Sequence, residues 1–207
     1  MIDGHHKVWI NTFWDKLGRF LVFLGLTPNQ VTLLGLFLIL VNCAFYVYHR
    51  SDFWFGLILA IVFTLDALDG AVARITDSAT KYGGYLDATA DRYQEVAVYL
   101  VIAWVHGYWA VCFLAVTGSL SISYNKARVA VEIPVDNDNW PDLLERMERI
   151  VLIYSALILS PFVALPEDFP GDFLSNMILI IAVLAHITAI QRFFRARRIL
   201  LEADRRD

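Results

Sequence analysis

Charge is scarce in this chain. Asp, Glu, Lys and Arg make up 18% of the 207 residues, while 58% are hydrophobic. A water-soluble domain of this length carries about a quarter charged and about half apolar residues. Cysteine is scarcer still. Cys43 and Cys112 each sit in the middle of an apolar block, which excludes a disulfide framework and reads as packed thiols. There is no internal repeat and no low-complexity tract, so one domain spanning 1–207 is the economical reading. The first apolar run follows Asp3 without a small-residue cleavage site, so no secretory leader is expected. No nucleic-acid partner is expected either.

The apolar residues fall in long blocks parted by short polar stretches, which is the pattern of a membrane protein. A span needs roughly 20 residues, and six such blocks are read at about 30–49, 53–75, 85–106, 108–130, 147–165 and 173–195. The third and fourth are helical only if their polar residues face inward. Ahead of them, residues 8–25 (VWINTFWDKLGRFLVFLG) mix Trp and Phe with a few charges and predict an interfacial amphipathic helix. The expected fold is therefore an all-α integral membrane protein with six transmembrane helices after an N-terminal interfacial helix. His5 and His6 read as a terminal tip, and His186 as a satisfied polar residue within the bundle.

Lysine and arginine are nearly absent from one side. Of the 17, only Arg50 falls in a turn opposite the rest, and the turn LPEDFPGD (165–172) has none. The basic side is expected to be cytoplasmic, placing both termini of a multi-pass cell-membrane protein there. The stretch 131–144 reads as the one clearly soluble connector.

Against this background the segment DALDGAVARITDSATKYGGYLDATAD (66–91) is anomalous. Asp66 and Asp69 are spaced i, i+3, and Asp87 and Asp91 i, i+4, so each pair lies on one helix face. The YGG at 82–84 is expected to break the chain, letting two helices fold back antiparallel. A charged residue deep in a span costs about 2.5–3.5 kcal/mol even on the lenient scale. Only Arg74 and Arg92 are near in sequence to compensate, and Glu95 offsets one of them. The cluster is acceptor-rich and predicts protonated carboxyls or bound cations. All-oxygen donors suit Mg²⁺, Mn²⁺ or Ca²⁺, and the absence of His and Cys argues against zinc. Four carboxylates suit a pair of ions clamping a phosphoryl group. An ion pathway, or Asp–Arg pairs holding helices together, is the alternative. Gly70, Ala71 and Ala73 would let a ligand approach the backbone, with Arg74 a turn further on to bind phosphate; tight helix packing explains the same small residues.

The pattern Asp66-x-x-Asp69-Gly70-x-x-Ala73-Arg74, then Gly83, Asp87 and Asp91, resembles the signature of the CDP-alcohol phosphotransferases, with every position filled. The resemblance implies a six-helix bundle, typically a homodimer, that moves a phosphoryl-linked group from a CDP-linked lipid to an alcohol and releases CMP. It implies that Asp66, Asp69, Asp87 and Asp91 hold two divalent ions, Mg²⁺ or Mn²⁺, and that Asp91 is the catalytic base for the acceptor hydroxyl. It implies that Gly70, Ala73, Arg74 and Thr80 contact the CDP part, together with the run Asn29, Gln30, Val31 and Thr32.

Basic residues from three further blocks end at the same face, in SYNKAR (123–128), ERMER (145–149) and QRFFRARR (191–198). Cations from three helices suggest a second anion pocket, which an acceptor carrying its own phosphate needs. These segments resemble the branch of the family that adds inositol phosphate to a phosphatidyl or archaetidyl group. That resemblance implies that Ser123, Lys126, Arg146 and Arg192 grip the phosphate of inositol 1-phosphate. Two other readings stand beside it: the same chemistry with glycerol 3-phosphate or serine, and a non-enzymatic ion-conducting or scaffold bundle.

Overall fold

The computed structural model describes residues 16–66, 68–133, 143–166 and 168–205, with the side chain of Asp66 outside that set. The regular structure described there is helical. Residues 16–23 form α1. It is followed by α2 (Pro28–His49), α3 (Asp52–Asp66), α4 (Leu68–Ile75), α5 (Lys81–His106), α6 (Trp109–Glu132), α7 (Arg146–Leu159), a 3₁₀ turn (Ser160–Phe162) and α8 (Phe173–Ala203). Among the described residues, three helical stretches are long and apolar enough to cross a membrane: Pro28–His49, Asp52–Ile75 and Phe173–Ala203. The other long helices, α5 with 26 residues and α6 with 24, carry more polar side chains. Of the expected interfacial helix, 8–15 lie outside the described residues. So do 134–142, the middle of the expected connector.

The chain forms two compact units. One comprises the residues up to Phe45 and Leu57–Val98; the other comprises Tyr46–Gly56 and the residues from Tyr99 onward. In the first unit, Val31, Leu68 and Val72 make a buried apolar cluster, against which Leu17, Leu21, Val22 and Leu26 pack. Gly18 lets α1 approach α4 closely: a Cβ there would stand 2.8 Å from Ile75 Cδ1 and 3.2 Å from Ala71 Cβ. The other face of α1 leaves Phe20 and Phe23 exposed.

One expectation is corrected. Tyr82–Gly84 does not break the chain but forms the first turn of α5, and the break falls at 76–80, where Asp77 takes φ +47°. The physical reason is a cap. Thr80 Oγ1 accepts from the Gly83 N–H at 3.0 Å, satisfying one of the donors that a helix start leaves open.

In the second unit, α6 packs along α8 through small residues. A Cβ on Gly118 would stand 2.9 Å from Ala185 Cβ. His186 Nε2 lies 3.1 Å from the Leu114 carbonyl, the satisfied polar contact expected of it. Both cysteines are buried and free. A polar cluster ties helix ends together: Asp52 Oδ1 accepts from the Tyr46 hydroxyl at 2.5 Å and pairs with His106 Nε2 at 3.0 Å, while Asp52 Oδ2 accepts from the Ser160 hydroxyl at 2.9 Å. The Tyr108 ring stacks on His106, and its hydroxyl donates to Asp172, the N-cap of α8.

Candidate active site

The site is built in the first unit from two helix beginnings and one short helix. Thr27 and Gln30 cap the start of α2 reciprocally: the Thr27 N–H donates to Gln30 Oε1 at 2.9 Å, and the Gln30 N–H to Thr27 Oγ1 at 3.4 Å. Pro28 occupies the first helical position, where its missing N–H costs nothing. From this turn Asn29, and from the next Thr32, face a cavity of about 220 Å³. Across it, α4 contributes Asp69, Gly70 and Ala73, the connecting turn Ser78, Ala79 and Thr80, and α5 Gly83, Gly84 and Asp87.

Two helix N-termini, those of α2 and α5, thus border one cavity that also holds carboxylates. The N-termini favour a phosphate's negative charge, and hard carboxylate oxygens favour a cation. Gly83 keeps the space open, since a Cβ there would stand 3.1 Å from Asn29 Oδ1 and 3.2 Å from Thr80 Oγ1. Asp69 is held from two directions. Its Oδ2 accepts from the Thr32 hydroxyl at 2.6 Å, and its Oδ1 from the Gly70 N–H at 2.5 Å.

The expected residues divide. Asn29, Thr32, Asp69, Gly70, Ala73, Thr80 and Asp87 line the cavity. Gln30 is spent on the cap, and Val31 is 4% exposed within the apolar cluster. Arg74 is exposed, with Nη1 3.4 Å from where a Gly70 Cβ would stand. Asp91 is buried one turn beyond Asp87, with Arg92 Nη2 at 3.5 Å from its Oδ2; Arg92 Nη1 lies 3.6 Å from Glu95. Asp66 ends α3, and its side chain lies outside the described residues. Among the described residues no three acidic, His or Cys side chains share a metal-holding geometry. Pro28, Ser78, Ala79 and Gly84 line the cavity without having been assigned to it; for the last three, the small, capping-rich run around the start of α5 was the only signal.

The second group of expected residues belongs to the second unit. Ser123 and Lys126 lie on α6, and Arg146 is the first residue of α7. Arg192 of α8 is 8% exposed, and its Nη1 donates to the Ile122 carbonyl at 2.6 Å, beside Ser123. Asn125 Nδ2 donates to the Ala189 carbonyl at 3.0 Å, which fixes the same register of α6 on α8.

A bundle of apolar helices with an acidic, glycine-lined cavity between two helix N-termini is the setting for phosphoryl-transfer chemistry at a membrane. The chain belongs to the CDP-alcohol phosphatidyltransferase family, whose profile it matches over residues 25–195. The archaetidylinositol phosphate synthase of Pyrococcus horikoshii is 35% identical over 186 residues, covering 89% of this chain and 90% of its own. The phosphatidylinositol phosphate synthase of Streptomyces avermitilis is 30% identical over 216 residues, covering 99% and 86%. Among solved structures, the phosphatidylinositol phosphate synthase of Mycobacterium tuberculosis with CDP-DAG bound superposes with a TM-score of 0.76 at 28% identity, covering 88% of this chain and 92% of its own. The same enzyme in complex with manganese and citrate gives 0.75 at 28% identity, covering 88% of each chain.

Proposed function

We propose that the protein transfers a phosphatidyl or archaetidyl group from a CDP-linked lipid to a hydroxyl of inositol 1-phosphate, releasing CMP. The observation that carries this reading is the cavity that Asp69 and Asp87 share with the first turns of α2 and α5. The donor's diphosphate is assigned to that cavity, with Asn29, Thr32, Gly70, Ala73 and Thr80 against the CDP part and Arg74 reaching in from its rim. Gln30 and Val31 serve the donor only through the cap and the core beneath it.

The all-carboxylate donor set fits a hard divalent cation, and Asp66, Asp69, Asp87 and Asp91 are the residues that would hold two ions, Mg²⁺ or Mn²⁺. When bound, such ions neutralise the diphosphate and stabilise the departing CMP oxygen. The chain's own residues do the rest. Thr32 and the Gly70 N–H orient Asp69. Asp91 takes the proton of the acceptor hydroxyl. That oxygen forms the new bond to the lipid-bearing phosphorus, and the bond to the CMP oxygen breaks. Ser123, Lys126, Arg146 and Arg192 are assigned to the acceptor's phosphate, and guanidinium forks suit that anion.

In this reading the protein crosses the cell membrane six times. Its cation-rich face, its active site and both termini are cytoplasmic, and it works as a homodimer. The test is CMP release from CDP-diacylglycerol or its ether-lipid counterpart, in Mg²⁺, with inositol 1-phosphate, glycerol 3-phosphate, serine or free inositol as acceptor. Stimulation by inositol 1-phosphate, abolished in Asp91→Asn, is expected. Release with glycerol 3-phosphate or serine alone would overturn the acceptor and keep the reaction class.

A further inference from the structure

The bulkiest residue that the described structure buries completely is Arg149 of α7, 1% exposed. Its Nη2 donates to the Ser119 hydroxyl oxygen at 2.9 Å, and its Nη1 to the Leu144 carbonyl at 3.2 Å. A buried guanidinium has given up its water and depends on partners that match its rigid planar fork. Arg149 therefore ties together α7, the middle of α6 and the strand of chain that leads into α7. The reaction proposed above makes no use of it.

Its position defines a register. Tyr108, just before α6, and Ser160, just after α7, both belong to the polar cluster around Asp52, His106 and Asp172. The start of α6 and the end of α7 therefore lie at one end of the unit, and the two helices run antiparallel. Moving from Ser119 to Ser123 climbs about one turn of α6, and moving from Arg149 back to Arg146 climbs about one turn of α7 in the same direction. Each pair shares a helix face. The Arg149–Ser119 hydrogen bond thus sets Arg146 level with Ser123. The start of α7 is fixed a second time by the reciprocal cap between Glu145 and Glu148.

We propose that Arg149 and Ser119 are positioning residues for acceptor binding: they hold Arg146 at the height of Ser123, so that both reach one phosphate. This rests on the assignment of Arg146 and Ser123 to the acceptor's phosphate. Arg149 itself touches no substrate.

The experiment measures kcat and both KM values of the full-length protein in lipid nanodiscs for Ser119→Ala, Arg149→Leu, Arg149→Lys, Arg146→Ala and the double variant Ser119→Ala/Arg146→Ala. Ser119→Ala is the mild change, and keeps the test open if Arg149→Leu does not fold. Loss of a hydrogen bond to a charged group is expected to raise KM for inositol 1-phosphate by about tenfold, with KM for CDP-diacylglycerol unchanged. Arg149→Lys should recover part of the loss. In the Arg146→Ala background, Ser119→Ala should have no further effect, because the two act through one contact. Equal rises in both KM values, or additive effects in the double variant, would overturn the proposal and leave the acceptor assignment standing. A silent Arg146→Ala would overturn that assignment, and the proposal with it.

Discussion

The hydroxyl of Thr32 on α2 donates to Asp69 Oδ2 on α4 at 2.6 Å, across 37 residues of sequence. The same hydroxyl lies 3.2 Å from the Pro28 carbonyl, but it has one proton, and the charged acceptor is nearer. With the Gly70 N–H on the other oxygen, this bond aims the carboxylate into the cavity before any ligand arrives.

Thr32→Val keeps the shape and β-branching of the side chain and removes the donor. A hydrogen bond to a charged group is worth about 1.5–3 kcal/mol. The expected result is a fall in kcat/KM of about tenfold or more, with a higher concentration of Mg²⁺ needed for half-maximal CMP release. A Mg²⁺ titration of Thr32→Val beside the parent checks it. An unchanged titration midpoint would show that Thr32 does not orient a metal ligand.

Gly83 and Gly84 stand side by side in the first turn of α5, yet they should answer differently to an added methyl group. At Gly83 the new carbon would meet Asn29 Oδ1 at 3.1 Å and Thr80 Oγ1 at 3.2 Å, while at Gly84 it meets nothing within 4 Å. Both contacts at Gly83 are side chains that line the cavity, so they must be displaced into or away from it. Gly83→Ala should raise KM for the CDP-linked lipid several-fold and Gly83→Val more, with Gly84→Ala changing it less. Steady-state kinetics with varied donor lipid decide the order.

How much of this was legible in the sequence depends on the kind of signal. Apolar block lengths located α2, α3 with α4, and α8, because burial in lipid imposes a length that can be counted. The aspartate spacing pointed to the right stretch of chain but not to the right pairs: Asp69 and Asp87, one from each pair, line the cavity, while Asp91 is buried a turn beyond it beside Arg92. The run Asn29 to Thr32 was read as one contact surface, but a helix turns about 100° per residue. Asn29 and Thr32 therefore share the cavity face, while Val31 turns into the core and Gln30 back to the cap. The glycine pair at 83–84 read as a break because glycine is a poor helix interior residue; next to a Thr cap, that cost falls in a turn whose N–H groups are open anyway. Arg149 was not singled out, because ERMER (145–149) was read as one of three basic segments around a second anion pocket, with Arg146 as its ligand. The burial of Arg149 follows from the meeting of α6 and α7, which no local pattern encodes.

Gly118 tests the packing of α6 on α8. A Cβ there would lie 2.9 Å from Ala185 Cβ and 3.3 Å from the His186 backbone nitrogen, neither of which can swing aside. Overpacking of this kind costs about 1–3 kcal/mol. Gly118→Ala should lower the thermal midpoint of the purified protein in detergent, and Ala185→Gly in the same chain should restore part of it. Failure of the second change to compensate would place the strain elsewhere.

Asp172, the N-cap of α8, provides the pH test. Burial alone would raise its carboxyl, but the Ser175 N–H and the Tyr108 hydroxyl outweigh burial and hold it below the ordinary carboxylate value. A group whose folded pKa is depressed binds its proton more readily in the unfolded chain. Its stabilising contribution is therefore complete above the unfolded carboxylate pKa, near about 4, and is lost as pH falls through the folded value. Asp172→Asn imitates the protonated acid in shape. It should lower stability at neutral pH by about 0.3–1 kcal/mol, the range for a charge at a helix N-terminus. The gap between variant and parent should close as pH falls well below about 4, where the parent carboxyl is itself neutral. Thermal unfolding of both proteins from pH 7 to acid reads this directly. A gap that stays constant would mean that the amide disturbs packing around Tyr108 and that the charge of Asp172 contributes nothing.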